Sequence, residues 1–234
     1  MTQKERRIFL IDCLLKENPG YRTAQIPDDE REQKVLLRSL MNVRPPQDTS
    51  EKFLRIQDEY LREAIREGGI TDLAQLKPLA AQGNGTLYLW QGDITRLKVD
   101  AIVNAANSAM TGCWQPCHAC IDNCIHTFAG VQLRAVCAGI MQKQGHEEPT
   151  GSAKITSAFN LPCKYVLHTV GPIVQGRLQK KHEEELASCY RSCLELAEQH
   201  KVRSIAFCCI STGVFMFPNR RAAEIAVETV RKYF

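Results

Sequence analysis

The 234-residue sequence has no apolar run that approaches the roughly 20 residues needed to span a bilayer, so a membrane protein is not expected. Its N-terminal stretch carries charges through the apolar part and no small-residue cleavage site follows, so a secreted protein is not expected either. It also lacks low-complexity segments and internal repeats, and 44% of its residues are hydrophobic, as in ordered chains with a buried core. These absences predict a cytoplasmic protein without a membrane partner.

Sequence patterns for common nucleotide sites are missing as well. Neither a Walker A pattern nor a GxGxxG fingerprint occurs, so nucleoside triphosphate hydrolysis and ordinary dinucleotide binding are weakly supported. The net charge is only +4, and residues 1–80 contribute nothing to it, with 14 basic and 14 acidic residues. An excess this small is compatible with an anionic small ligand, but it makes nucleic acid an unexpected partner.

The cysteines are numerous and unevenly placed. There are eleven, and all but Cys13 lie at or beyond Cys113. An odd number without a secretory signal argues against a disulfide framework. We therefore expect free thiols, with metal ligands among them.

The chain divides into two regions by its hydrophobic pattern. Residues 1–80 predict amphipathic helices separated by Asn18-Pro19-Gly20 and Pro45-Pro46 and ending at Gly68-Gly69. No ionisable cluster there suggests chemistry, so we expect a helical N-terminal extension packed on the main domain. Residues 81–234 alternate short apolar strands with helices. The predicted strands are 87–90, 101–103, 153–157, 165–169 and 204–210, and the predicted helices are 119–143, 181–200 and 220–233.

Strands separated by helices predict an α/β fold with a largely parallel sheet and helices on its faces. Ligands bind such sheets where loops leave the carboxyl ends of the strands. Three loops are therefore of interest, at residues 104–122, 147–151 and 211–217.

The first of these loops contains the densest chemical signal. Four cysteines and two histidines lie within 14 positions, and thiolate and imidazole are preferred ligands of Zn²⁺. Cys113, His118 and Cys120 can reach one ion and leave a fourth position open, as at catalytic zinc sites. Cys117 could replace one of the three. The alternative is a cluster of buried thiols, since free cysteine is among the most buried residue types.

Two other segments offer weaker signals. The Ser211–Phe215 loop lies between an apolar strand and a helix, so its backbone amides could bind an anion, although a plain turn is an alternative. Asp93 could accept a hydrogen bond from an exocyclic amine, and Asn104 with Asn107 could bind sugar hydroxyls. An Asx turn and a helix N-cap are the alternatives for these three residues.

Six short motifs follow one another in the order and spacing of a macrodomain, the ADP-ribose-binding module. They are GDIT, VDAIVNAANSAM, IDNCIHTFAG, EEPTGSAKIT, YVLHTVGP and SIAFCCISTGVF. The Cys113–Cys120 insertion resembles the zinc-containing microbial branch of that family, which is associated with removal of ADP-ribose from proteins. The resemblance covers about residues 86–234, and the helical extension suits the same branch. It implies a three-layer α/β/α fold with a mixed, largely parallel sheet.

The resemblance also implies roles for individual residues. Asp93 and Ile94 match the adenine site, while Asn104 and Asn107 match a pair of which Asn107 lies nearest the distal ribose. Asp122 matches an acidic residue beside the water and distal ribose, although a helix N-cap is the alternative here, because the family's glycine run is replaced by the Cys/His loop. The remaining matches are the diphosphate loop, Ser211, Thr212, Gly213, Val214 and Phe215, and Gly151 in a second loop. The family usually has another strand and helix after this point, so we expect a shortened C-terminal end.

The function implied is zinc-dependent hydrolysis that removes mono-ADP-ribose from protein side chains, with an aspartate or glutamate linkage expected. Asn107 and Asp122 would take part in catalysis, and Cys113, His118 and Cys120 would bind Zn²⁺. A sirtuin-type transferase and a lipoyl-carrier protein are the partners that the same branch implies. One alternative is a reader that binds ADP-ribose without chemistry. Another is an adaptor whose structural zinc has Cys117 or Cys124 as a fourth ligand.

Overall fold

The computed structural model describes residues 1–21, 23–82 and 85–234. Its first part contains three helices that begin at side-chain caps. Thr2, Asp29 and Ser50 each accept a hydrogen bond from a backbone N–H of the first helical turn, which satisfies a group with no partner inside the helix. The helices are α1 (Gln3–Glu17), α2 (Glu30–Val43) and α3 (Glu51–Glu67). The predicted breaks near Gly20, Pro45 and Gly68 all fall outside the α-helices, and Gly20 lies in a single 3-10 turn, Pro19–Tyr21.

The three helices share a hydrophobic core that also reaches the rest of the chain. Leu10, Leu37 and Phe53 are among its buried members, one from each helix. Val131, from a helix much later in the chain, belongs to the same core. The N-terminal helices are therefore packed against the second part of the protein through apolar contacts.

Two pairs of short strands follow α3. β1 (Thr71–Asp72) pairs in parallel with β4 (Leu97–Lys98), and β2 (Ala80–Gln82) pairs antiparallel with β3 (Gly85–Leu87). The strand predicted at 87–90 is therefore wrong beyond its first residue. The side chain of Leu89 is 82% exposed, so it does not pack on the face of a sheet as the predicted strand requires.

The central sheet has four strands, and three of them are parallel. The order across the sheet is β6, β7, β5, β8, in which only β6 runs antiparallel to its neighbour. Successive residues of β5 alternate between faces, so Ile102 and Ala101 enter two different cores. The strands are β5 (Ala101–Ala106), β6 (Ala153–Ser157), β7 (Tyr165–Val170) and β8 (Ile205–Ala206). The predicted α/β class with a largely parallel sheet is confirmed.

Helices cover both faces of this sheet and complete three layers. One core lies under α4 and α5, and the other lies under α6 and α7. The helices are α4 (Ile121–Ala129), α5 (Val131–Gln144), α6 (Lys180–Gln199) and α7 (Asn219–Tyr233). Among the described residues, no single helix has the length and apolar composition for crossing a bilayer, and α4 with α5 passes that test only as a pair bent by 111°.

Two further predicted elements differ from the structure. The helix predicted over 119–143 is divided at Gly130, whose φ of +102° ends α4 and starts α5. The strand predicted over 204–210 pairs only at Ile205–Ala206. Beyond it the chain turns, because the Ile210 N–H donates to Cys208 O at 3.0 Å.

Candidate active site

The three loops of interest meet at one edge of the central sheet. β5 and β7 are parallel and end at the same edge, and β6, which is antiparallel, begins there. Backbone hydrogen bonds join the loops to one another and to the strand end. They run from Glu148 N–H to Ser108 O (2.8 Å), from Gly151 N–H to Val170 O (2.9 Å) and from Val174 N–H to Phe215 O (2.9 Å). Gly151 thus fixes one loop at the end of β7.

A carboxylate and two amides form the centre of this edge. The Asn104 amide Nδ2, at the middle of β5, donates to Asp122 Oδ1 at 2.8 Å. The Asn107 amide Nδ2 lies 3.4 Å from Asp122 Oδ2 and 3.0 Å from Gly112 O, to which it donates. Asn107 therefore connects the carboxylate to the start of the Cys/His loop. Asn107 Oδ1 is buried and has no hydrogen-bond partner among the described residues, so it is free to accept from a ligand.

The environment of Asp122 distinguishes it from a capping residue. Cys120 is the N-cap of α4, since its Sγ accepts from Asn123 N–H at 3.4 Å, so the N-cap interpretation of Asp122 is wrong. Burial raises the pKa of the Asp122 carboxyl to about 6, and the Asn104 hydrogen bond and the Arg134 charge offset only part of that rise.

The predicted metal ligands form a compact group on the loop before α4. The side-chain N and S atoms of Cys113, His118 and Cys120 all lie within 4.8 Å of one another, and the three residues are half-buried. Cys113 Sγ is 3.6 Å from His118 Nδ1. Two thiols and an imidazole are a donor set that fits Zn²⁺. Burial raises the pKa of the Cys120 thiol to about 11, so binding of a cation there has to displace a proton.

The other two cysteines of this segment point elsewhere. Cys117 Sγ lies 3.2 Å from Ser39 Oγ, and Cys124 Sγ lies 3.5 Å from a nitrogen of the Arg38 guanidinium. Both contacts are with α2. Within the described residues, neither cysteine joins the group of three, which leaves room for a fourth ligand that is not a side chain of this loop.

A second group of possible ligands lies beneath the carboxylate. Ligand-type atoms of His126, Cys137 and His168 also lie within 4.8 Å of one another, but all three residues are buried. His168 Nδ1 is 3.2 Å from the Asn104 amide, and His168 Nε2 is 2.9 Å from Thr156 Oγ1. Both ring nitrogens of His168 are thus in hydrogen bonds. Burial lowers the pKa of His168 to about 4, so this buried histidine is neutral near pH 7.

The Ser211–Phe215 loop forms the wall next to β8. Ser211 has a φ of +62°, and its Oγ would be 2.1 Å from a Cβ atom at Gly171, so only glycine fits there. The hydrogen bonds that fold the loop use the amides of Thr212, Met216 and Phe217. The amides of Gly213, Val214 and Phe215 lie between them and are the donors that this loop can offer to a ligand. Val214 is 71% exposed, so the tip of the loop is open to solvent.

Asp93 occupies the turn that sequence reasoning gave as the alternative. Its Oδ1 accepts from the backbone and the hydroxyl of Thr95, at 3.0 Å and 2.6 Å, and its Oδ2 lies 3.3 Å from Arg96 Nε. Its side chain remains 42% exposed, while Ile94 is buried beneath it. The Asp93 carboxylate therefore caps this turn and is still exposed enough to contact a ligand.

Comparison with known proteins identifies the family. A family model described as Macro domain matches residues 103–226, just over half of the chain. The chain belongs to the macro domain family. It is 75% identical over 233 residues to a protein-ADP-ribose hydrolase of Treponema medium, an alignment that covers all of this chain and 89% of that protein. A protein-ADP-ribose hydrolase of Staphylococcus aureus is 48% identical over 233 residues, covering 99% of this chain and 86% of that protein.

A solved macrodomain supports the same assignment for the α/β part. A mutant Oceanobacillus iheyensis macrodomain with ADPR superimposes with a TM-score of 0.60 at 40% identity, covering 65% of this chain and 80% of that chain. The family model begins inside β5, whereas the two hydrolases align with this macro domain over nearly its whole length. The helices α1–α3 are therefore shared with those relatives.

Sequence reasoning missed one buried residue of this macro domain that contacts the site. Arg134, on α5, donates from Nε to Thr111 O at 2.7 Å and from Nη1 to the carbonyls of Asn42 and Arg44, each at 2.7 Å. Its guanidinium carbon also lies 4.2 Å from the centre of the Trp114 ring. No sequence pattern distinguishes this arginine from others on amphipathic helices, because its partners are mostly backbone carbonyls.

Proposed function

We propose that the chain is a protein-ADP-ribose hydrolase that requires Zn²⁺ and removes mono-ADP-ribose from aspartate or glutamate side chains. One observation carries the proposal. Cys113, His118 and Cys120 form an open group of zinc-type ligands, and Asn107 joins the start of their loop to Asp122 through the Gly112 carbonyl and the carboxylate. Two relatives that are named protein-ADP-ribose hydrolase and align with nearly all of this chain support the reaction class.

The ligand would extend along the loops of the sheet edge. Asp93 and Ile94 would hold adenine, and the exposed amides between Gly213 and Phe215 would neutralise the diphosphate without a lysine. Asn107 Oδ1, which is buried and has no partner among the described residues, suits a ribose hydroxyl. This order places the distal ribose between Asn107 and the Cys/His loop.

The chemistry would then take place where the carboxylate and the loop meet. Zn²⁺ bound at Cys113, His118 and Cys120 would supply Lewis acidity to a ribose hydroxyl or a water. Asp122 lies within hydrogen-bond distance of Asn104 and near Asn107, so it is placed to accept a proton from the attacking group. Asn104 holds this carboxylate in orientation and is itself held by His168.

The first experiment measures free ADP-ribose released from a protein that carries mono-ADP-ribose on acidic side chains. Zinc-loaded and metal-stripped enzyme are compared, with circular dichroism to show that both are folded. We expect release only with zinc. Cys13→Ser serves as a control for thiols outside the candidate site, because Cys13 lies on α1 against the N-terminal core. It should behave as the wild type does. Release that survives stripping would contradict the zinc requirement, and tight ADP-ribose binding without release would favour the reader.

The expected partners form a separate part of the proposal. A sirtuin-type ADP-ribosyltransferase and a lipoyl-carrier protein are supported by the family resemblance alone. The test compares release from a lipoyl-carrier protein modified by such a transferase with release from an unrelated mono-ADP-ribosylated protein. Equal rates for the two substrates would contradict a dedicated carrier partner.

A further inference from the structure

We propose that Arg38, Ser39 and Asn42 of α2 are positioning residues that hold the loop of Cys113, His118 and Cys120 in the shape that binds a metal. The inference rests on the proposed function and extends it, because it makes the N-terminal helices a working part of the site. On sequence these helices are expected to act as a packing extension only. Three side chains within two turns of α2 instead reach the loop.

Arg38 contacts a ligand residue directly. Its Nη2 donates to the His118 carbonyl and to Asn123 Oδ1, each at 2.9 Å. Asn123 in turn donates from Nδ2 to Gln115 O at 2.9 Å and from its backbone N–H to Cys120 Sγ at 3.4 Å. Arg38 thus fixes the backbone of one ligand and, through Asn123, the loop on either side of it.

Asn42 and Ser39 hold the centre of the loop at Cys117. Asn42 Oδ1 accepts from Cys117 N–H at 2.9 Å, and its Nδ2 donates to Thr127 Oγ1 at 2.9 Å. Ser39 Oγ is 3.2 Å from Cys117 Sγ. Asn42 is buried, so the Cys117 hydrogen bond is shielded from competition by water.

The backbone of Cys117 gives an independent reason for these contacts. Its φ is +55°, a left-handed conformation that residues with a Cβ atom adopt only at a cost. Such conformations persist where the surroundings impose them. Because α2 contacts both the backbone and the thiol of Cys117, it supplies the restraint that keeps this turn between Cys113 and His118.

The expected consequence is a loop that is ordered before metal binds. Three ligands on a free loop would have to lose conformational freedom on binding, which weakens affinity. Removal of partners that orient metal ligands typically weakens metal binding about 10- to 100-fold. We therefore expect α2 to act on zinc affinity although it provides no ligand.

The test uses the full chain with Arg38→Met, which keeps the alkyl stem and removes the donors. Arg31→Met is the matched control, since Arg31 is exposed on the same helix. The zinc dissociation constant is measured by competition with a chromophoric chelator. We expect it to rise about 10- to 100-fold for Arg38→Met and to stay unchanged for Arg31→Met. An unchanged constant in folded Arg38→Met would overturn the proposal.

A second measurement separates this inference from the zinc requirement itself. Hydrogen exchange of the Cys117 and His118 amides is followed in metal-free wild type and in Asn42→Leu and Ser39→Ala. We expect faster exchange at Cys117 in Asn42→Leu, with a smaller effect in Ser39→Ala. Equal protection in all three proteins would overturn the positioning role. Failure of the wild type to bind zinc would contradict the proposed function, while the exchange data would still decide whether α2 holds the loop.

Discussion

Two groups of cysteine and histidine side chains in this protein have the same ligand types and opposite environments. Cys113, His118 and Cys120 are half-buried on a loop, whereas His126, Cys137 and His168 are buried between α4, α5 and β7. In both groups the ligand atoms lie within 4.8 Å of one another. Proximity and residue type therefore do not distinguish a metal site from a core.

Burial and the hydrogen bonds of His168 distinguish the two groups, whereas both ring nitrogens of His126 have no partner among the described residues. In the buried group, His168 accepts from Asn104 at Nδ1, which leaves the proton on Nε2 for the Thr156 hydroxyl. A neutral imidazole in this state has no free lone pair for a cation. The Cys113 group has an accessible edge and thiols whose protons a cation can displace. We expect one zinc per chain, bound at the loop.

The largest expected effect comes from removing the loop ligands. Zinc binding and ADP-ribose release should both be lost in Cys113→Ala, in His118→Ala and in Cys120→Ala. A site with three protein ligands keeps only two when one is removed, which is too few to hold the ion. Cys137→Ala, the matched change in the buried group, should keep one zinc. Metal per chain is measured by atomic emission, alongside release. Two zinc ions in wild type would show that the buried group also binds metal, and loss of zinc in Cys137→Ala would place the metal there instead of at the loop.

The next effect concerns the carboxylate that lies between the groups. Asp122→Asn keeps the size of the side chain but removes its ability to accept a proton, so release should fall about 10²- to 10⁴-fold. Zinc content and ADP-ribose affinity should change little, because Asp122 does not belong to the group of metal ligands. Single-turnover release and calorimetric binding separate these readouts. Asp12→Asn is the control, because this carboxylate on α1 is partly exposed, pairs with Lys16 and lies outside the candidate site. Full release by Asp122→Asn would remove this carboxylate from the reaction.

The buried His168 should make the free energy of unfolding depend on pH. Burial lowers the pKa of His168 to about 4, while the pKa of this histidine in the unfolded chain is near the ordinary value of 6.5. The unfolded state then binds more protons between these values, so stability present above pH 6.5 is lost as pH falls toward 4. The loss from His168 between pH 7 and pH 5 is about 2 kcal/mol.

This loss is measured by urea unfolding of the metal-free protein, so that pH-dependent metal binding does not contribute to the measured free energy of unfolding. His168→Gln should flatten the dependence, whereas His146→Gln, at an exposed position, should leave it unchanged. His126 is also buried, and burial lowers its pKa too, so part of the dependence should remain in His168→Gln. A profile identical to wild type in His168→Gln would show that His168 is not held neutral by the fold.

Local features of the fold could be predicted from the sequence, because their causes lie within a few residues. α3 ends at Gly68, as the predicted break at Gly68-Gly69 indicates. β6 has the predicted bounds, Ala153–Ser157. Gly130 was not predicted to divide a helix. Its φ of +102° already favours glycine, and a Cβ atom there would lie 2.7 Å from Gln57 Nε2 and 3.1 Å from Asn160 Nδ2, so distant segments add to that requirement.

The candidate site shows the same limit. Spacing alone selects Cys113, His118 and Cys120 as ligands, but it leaves Cys117 as a substitute. The contact that takes Cys117 away is with Ser39, which lies 78 positions earlier in the chain. No local pattern contains that information. The pairing of Asn104 with Asp122 likewise depends on how α4 packs on β5. The family resemblance implied that Asn107 and Asp122 lie near the distal ribose, but it did not predict this hydrogen bond.

The smallest expected effect tests what keeps His168 from acting as a ligand. Thr156→Val removes the hydroxyl that accepts from Nε2 while keeping the shape of the side chain. We expect the free energy of unfolding to fall by about 1 kcal/mol, which is the low end of the cost of leaving a buried donor without an acceptor. The cost is low because Cys137 Sγ lies 4.0 Å from the same nitrogen and can accept a weak hydrogen bond. Thr156→Ser, which keeps the hydroxyl, controls for side-chain volume. We expect both variants to bind one zinc, since burial also opposes a charged ion there. A second zinc in Thr156→Val alone would show that this one hydrogen bond separates a core from a metal site.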